Sequence, residues 1–124
     1  TKLAEAVVPL REAEIVQATV GSEALLIPAE AFKQGLEVEL EHGVRFPEAN
    51  VTNNHPLLTG MIVLAHLKET LDYYVRLDVA EMEGDMLKAY RVGDTDKLAS
   101  KYALLLQAKA KLAEREKDSI TNKR

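Results

Sequence analysis

Four residues carry the densest chemistry of the chain: Glu39, His42, His66 and Glu69. Positions three apart share one face of a helix, so Glu39 pairs with His42 and His66 with Glu69 if both segments are helical. Glu-x-x-His pairs that project inward from facing helices build carboxylate-bridged metal sites. Imidazole with carboxylate suits zinc or iron, and an open coordination position would allow metal-assisted hydrolysis. The same four residues also have a structural reading. The imidazoles can donate to buried carbonyls, or to Glu39 and Glu69, and so hold two helices in register. Single Glu-x-x-His and His-x-x-Glu strings arise by chance, so their spacing does not choose between these readings. His55, in Asn54-His55-Pro56, stands close enough in sequence to join as a ligand, or to serve as a turn or helix cap. No nucleophile elbow, Gly-rich phosphate loop or His-Glu-x-x-His string accompanies the four residues. No catalytic residue is therefore assigned, and no cofactor is required.

Two helices must position these groups. Pro28 opens the first, over about 29–42, at a position where its missing N–H costs nothing. Gly43 is expected to end it. Glu39 falls inside the apolar arc of Phe32, Leu36 and Leu40, where a carboxylate is costly to bury unless paired. A loop rich in turn formers covers 44–56 (Pro47, Asn50, Asn53, Asn54, Pro56). The second helix, about 57–69, is apolar on nearly every side and is expected to be the most buried.

The flanks predict different elements. Ile15 to Val20 is rich in β-branched residues, Gly21-Ser22-Glu23 is a turn signal, and Ala24 to Ile27 is a second apolar run, together predicting a β-hairpin over 12–27. After the second helix, Val75, Val79, Met82, Met86 and Tyr90 recur at spacings of four and three over about 71–92. Gly93-Asp94-Thr95-Asp96 then stops one helix and caps the next, which carries Leu98, Tyr102, Leu105 and Leu112 over about 95–117. So short a connection makes these two helices an antiparallel hairpin. Residues 119–124 are expected to fray. The expected class is mainly α within α+β: an N-terminal arm and β-hairpin over 1–28, a helical core over 29–77, and a C-terminal helical hairpin over 71–118, in one folded domain.

The bulk numbers narrow the function classes. A chain of 124 residues with 47% hydrophobic and 29% charged residues buries one core without staples. The absence of cysteine removes disulfides, thiolate catalysis and Cys-based zinc sites. The formal net charge is −4 and the late lysines are interrupted by Glu114, Glu116 and Asp118, so no nucleic-acid partner is expected. No apolar run approaches the ~18–20 residues of a membrane span, and no export signal opens the chain. The expected location is the cytoplasm, or the virion if a phage encodes the chain.

A resemblance covers about residues 35–77. Gly35 to Gly43 (GLEVELEHG), Asn50-Val51-Thr52-Asn53, Pro56-Leu57-Leu58-Thr59-Gly60, Ala65-His66-Leu67-Lys68-Glu69 and Asp72-Tyr73-Tyr74-Val75-Arg76-Leu77 resemble a small family of uncharacterised domains in bacteria and tailed bacteriophages. That family implies no activity. It usually has acidic residues where Asn54 and His55 stand, which weakens an acidic metal loop here, and a proline where Leu71 stands. Residues 12–27 and the C-terminal hairpin lie outside the resemblance and are expected to specialise this member.

Two functions follow. The favoured one is a non-enzymatic structural or assembly protein, such as a phage virion or particle component, acting through protein partners as a homo-oligomer or larger assembly. Unpaired strand edges invite pairing with another chain, and Ile15, Val20, Val79, Met82, Met86, Leu98, Tyr102 and Leu105 are the expected contact residues. The alternative is a metal-binding protein or metal-dependent hydrolase using zinc or iron at Glu39, His42, His66 and Glu69.

Overall fold

The computed structural model describes residues 7–50, 52 and 54–122. They form five helices and two short 3-10 turns: α1 (Leu10–Val20), α2 (Ala29–Arg45), α3 (Pro56–Glu69), α4 (Tyr73–Val92) and α5 (Thr95–Asn122). The chain divides into two compact units, Thr1–Leu71 and Asp72–Arg124.

The fold is all-α, and the β-hairpin expected over residues 12–27 is absent: no strand occurs among the described residues. Ile15, Val16, Thr19 and Val20 favour strands by their β-branching, but such propensity is worth only tenths of a kcal/mol per residue. Packing decides instead. Ala13, Val16, Gln17 and Val20 are spaced i, i+3, i+4, i+7, the stripe of a helix with one buried face, and α1 lays that stripe against α2 and α3. The third member of the stripe is a glutamine, which hid the period. Buried Gln17 uses its amide to donate to the carbonyls of Ala24 (2.9 Å) and Ile27 (2.8 Å). It thereby folds the turn at 24–26 back onto α1. The turn signal at Gly21 is real, with φ at +131°, but it ends a helix rather than joining two strands.

In the first unit α2 buries Ala31, Phe32, Gly35 and Leu36, and α3 buries Thr59, Gly60, Val63 and Leu67. α3 is the most apolar helix, yet it leaves Leu58 and Met61 exposed. The tight point is Gly60. A Cβ there would stand 2.7 Å from Val16 Cγ1 and 2.8 Å from Val20 Cγ2, and 3.6 Å from Phe32 Cζ. The missing side chain is what lets α1 approach α3.

The second unit is the antiparallel pair α4 and α5. Gly93, at φ +72°, lets its own N–H reach the Tyr90 carbonyl (3.1 Å) and the Asp94 N–H reach that of Ala89 (3.0 Å), closing α4 in the left-handed manner that favours glycine. The Asp94 carboxylate then accepts from Lys97 N at 3.0 Å and caps α5. α5 continues to Asn122, past the point where fraying was expected.

Gly60→Ala is expected to destabilise the protein by about 1–3 kcal/mol, because two stiff valines must give way. Gly84→Ala serves as its control. A Cβ at that exposed helical site meets nothing, so it should stabilise by about 0.5–1 kcal/mol. Chemical denaturation of both variants checks the pair, and equal effects would refute the close approach.

Candidate functional site

The expected cluster assembles only in part. Glu39 on α2 and His66 on α3 meet, with His66 Nδ1 donating to Glu39 Oε2 at 2.9 Å. Their side chains are 16% and 31% exposed respectively, so the pair is shielded without being sealed from solvent. His42 shares the Glu39 face and is likewise not without a partner. Glu69 lies exposed at the end of α3. His55 acts as a cap, its Nδ1 accepting from Leu57 N at 3.2 Å at the start of α3. Among the described residues no group of three or more His, Asp or Glu side chains is placed to hold a metal ion.

Glu39 and His42 open onto a cleft of about 240 Å³ shared with Phe46, Asn50, Thr52 and Thr59. Its far wall is a hydrogen-bonded loop. Asn50 Nδ2 donates to Asn54 Oδ1 (3.0 Å), Thr52 Oγ1 to Asn50 Oδ1 (3.2 Å), and Asn54 N to Thr52 Oγ1 (3.1 Å). The hydroxyl of buried Thr59 reaches Thr52 Oγ1 at 3.3 Å and ties this loop to α3. Asn54 sits at φ +59°, a conformation asparagine tolerates better than most residues. The loop lies so close to α2 that a Cβ on Gly43 would collide with Asn54 Oδ1 and crowd Asn50 Nδ2. Gly43 was expected to end α2. It stays helical instead, and the helix runs on to Arg45. The Asn-x-Thr-x-Asn spacing of 50, 52 and 54 was the signal for this loop, and it was read only as turn composition.

A carboxylate on Nδ1 holds an imidazole in one orientation, as in many acid–base sites. Here the nearby hydroxyls of Thr52 and Thr59 are already committed to the loop network. What the geometry does directly is clamp α2 to α3 through one charge-assisted contact.

The second candidate surface is on the hairpin. Asp85 and Lys101 pair at 3.0 Å along one edge, and Arg76 reaches Glu116 at 2.9 Å along the other. These contacts tie the two helices of the hairpin to each other. Of the expected contact residues, Val79, Met82, Met86 and Leu98 are half-buried and Leu105 is buried, so they serve the seam between α4 and α5. In the first unit Ile15 is exposed, and Val20 is half-buried over Gly60. Tyr102 is different. It is 51% exposed and belongs to a stripe with Leu106 (50%) on α5. On α4 the positions in line with Arg76 at steps of four and three are Ala80, Glu83, Leu87 and Tyr90, of which Leu87 is 50% and Tyr90 72% exposed. In line with Glu116 on α5 run Ala113, Lys109, Leu106, Tyr102 and Ala99. The Arg76–Glu116 contact joins the far ends of the two stripes, so both lie on one side of the hairpin. Asp72 and Glu116 hydrogen-bond the Arg76 guanidinium and raise its pKa above the ordinary arginine value, Asp72 having the larger effect. Leu87 and Leu106 were legible by their spacing but were not read, and Tyr90 and Tyr102 were read into the seam stripes although they are exposed.

The chain belongs to a family described as "Protein of unknown function (DUF5661)", whose model matches residues 9–83, more than half of its length. The match takes in α1, α2 and α3 and ends inside α4, so α5 lies wholly beyond it. No curated protein and no solved structure matches the chain.

The clamp between α2 and α3 is open to a double-mutant cycle. Glu39→Ala and His66→Ala should each destabilise the protein, with a coupling energy of about 1 kcal/mol between them. Additive losses in denaturant titrations would show that the 2.9 Å contact holds nothing together.

Proposed function

We propose that this member of the family is a non-enzymatic assembly protein that works by binding another protein chain through one side of its C-terminal hairpin. The observation that carries the reading is the stripe of Leu87, Tyr90, Tyr102 and Leu106, four large apolar side chains at least half exposed on one side. A pair of helices has only one seam, so a second apolar stripe on the same pair has nothing within the hairpin to cover it. Together these side chains present roughly 400 Å² of apolar surface, near the top of what a monomer leaves uncovered. Tyrosine and leucine at helical spacing also match the way an amphipathic helix face meets a partner groove or helix.

Two further points support it. The face lies largely on segments beyond the family match, as expected if the shared unit is a scaffold and the hairpin supplies the contact of this member. The cleft at Glu39 holds its polar groups in structural contacts, which leaves the hairpin as the more distinctive surface. A virion or other repeating particle is the setting that the resemblance of residues 35–77 suggests for such contacts.

The reading is tested in extracts of the source organism by native size fractionation of the full chain. The wild-type chain should run in a species larger than its own 13.7 kDa, and Tyr102→Glu should return it to the size of one chain. A wild-type chain that runs alone in such extracts contradicts the assembly role.

A further inference from the structure

We infer that the first unit carries a ligand site of its own, separate from the hairpin face. It is a cleft between α1, α2 and the start of α3, and it takes a small molecule with an apolar body and one cationic end. The cleft has a volume of about 330 Å³ and is walled by Val8, Ile15, Val16, Leu36, Leu40 and Pro56. Val8 and Leu36 are buried, Val16 and Leu40 are half-buried, and Ile15 and Pro56 are exposed at the mouth.

The packing of α1 creates the space. Val16 and Val20 close tightly on Gly60 of α3. One turn earlier, Glu12 and Ile15 share the face of Val16, but they border the cleft together with Asn54 and Pro56. Leu36 and Leu40, four apart on α2, supply the facing wall. The wall at Val8 is fastened by its backbone, whose N–H donates to Glu37 Oε2 at 2.9 Å, and Lys33 holds the same oxygen at 3.1 Å.

Size and charge select the occupant. A dry apolar cavity of about 150 Å³ takes benzene, so this cleft takes a body of about a dozen non-hydrogen atoms. That is the scale of a small molecule and well below that of a helix or strand from another protein. The polar lining is largely committed. The Thr59 hydroxyl reaches Thr52 Oγ1 at 3.3 Å, and Asn54 is held through its Oδ1 by Asn50 and through its N–H by Thr52. Glu12 is the exception. Among the described residues it is the one charged side chain on the cleft, and no cation there pairs with it. A carboxylate at the lip of an apolar cleft attracts an ammonium group and repels a second carboxylate, more strongly than it would over open water. The apolar walls supply most of the affinity, and Glu12 supplies the choice of head group. Glu12 also stands in the first turn of α1, where a negative charge suits the helix end. That second role acts on stability and leaves the choice of ligand untouched.

Titration of the purified full chain with 4-phenylbutylamine, followed by the methyl resonances of its valines, leucines and isoleucines, tests the site. The neutral 4-phenylbutanol and the anionic 4-phenylbutyrate carry the same body and serve as comparisons. The expected result is saturable shifts at Val8, Ile15, Val16, Leu36 and Leu40, with the amine bound most tightly and the carboxylate least. Glu12→Gln should weaken amine binding by about two- to fivefold and leave the alcohol unchanged. An amine that binds no better than the alcohol, or that keeps its affinity in Glu12→Gln, overturns the cationic class. Shifts that fail to saturate, or that centre on residues outside the cleft, overturn the site itself. Neither outcome bears on the hairpin face, which is tested separately by the size of the species in extracts.

Discussion

Helices bury apolar surface only where their backbones can come close, and in this protein closeness depends on residues that lack bulk. Gly60 lets Val16 and Val20 of α1 settle against α3, and a single added carbon would collide with both. Gly43 does the same for the loop that carries Asn50 and Asn54. In the hairpin the buried positions include Ala89 and Ala108. Each close approach fixes which face of a helix is covered and, by exclusion, which face is left to solvent. The Leu87–Tyr102 side of the hairpin is exposed because the α4–α5 seam turns Val79, Met82 and Leu105 inward instead.

The same constraint gives the polar residues their places. Gln17 sits in the buried stripe of α1, where an unpaired amide would be costly. Its two bonds to the carbonyls of Ala24 and Ile27 turn that cost into a fastening for the chain reversal. Glu39 lies among apolar neighbours on α2 and meets His66 of α3 there. These contacts satisfy buried groups and set the register of the first unit. That unit holds most of the family match, which runs over residues 9–83.

Much of this was legible in the sequence, and the failures have physical causes. The periods of α2, α4 and α5 were strong, α3 was marked by its nearly continuous apolar run, and Gly93-Asp94 marked the hairpin turn because glycine and aspartate there have one economical use. The strand expectation over 12–27 failed because β-branching is a weak preference, whereas the i, i+3, i+4, i+7 stripe of α1 passes through Gln17 and escapes a count of apolar residues alone. The pairing of Glu39 with His66 was visible as a possibility, since both lie on helices expected to pack together. That Glu69 stands apart was not visible, because three-residue spacing fixes a shared face and not which way that face turns. Gly43 resembled a helix end, and only the approach of Asn54 from a distant loop shows its use as a space. The outward stripe of the hairpin was read only in part, with Tyr90 and Tyr102 counted toward the seam, because a helix pair can carry two apolar faces and only the first is needed to form it.

The central claim is that the Leu87–Tyr102 face is covered by another protein chain. The chain has no cysteine, so a single one can carry a photo-crosslinking label at a chosen place. Ala99 borders the face, and Lys111 lies on the opposite side of α5. Ala99→Cys and Lys111→Cys, each labelled and irradiated in extracts of the source organism, compare the two sides directly. The account predicts a crosslink to a protein chain from position 99 and none from position 111. No crosslink from position 99, or an equal yield from position 111, would contradict it.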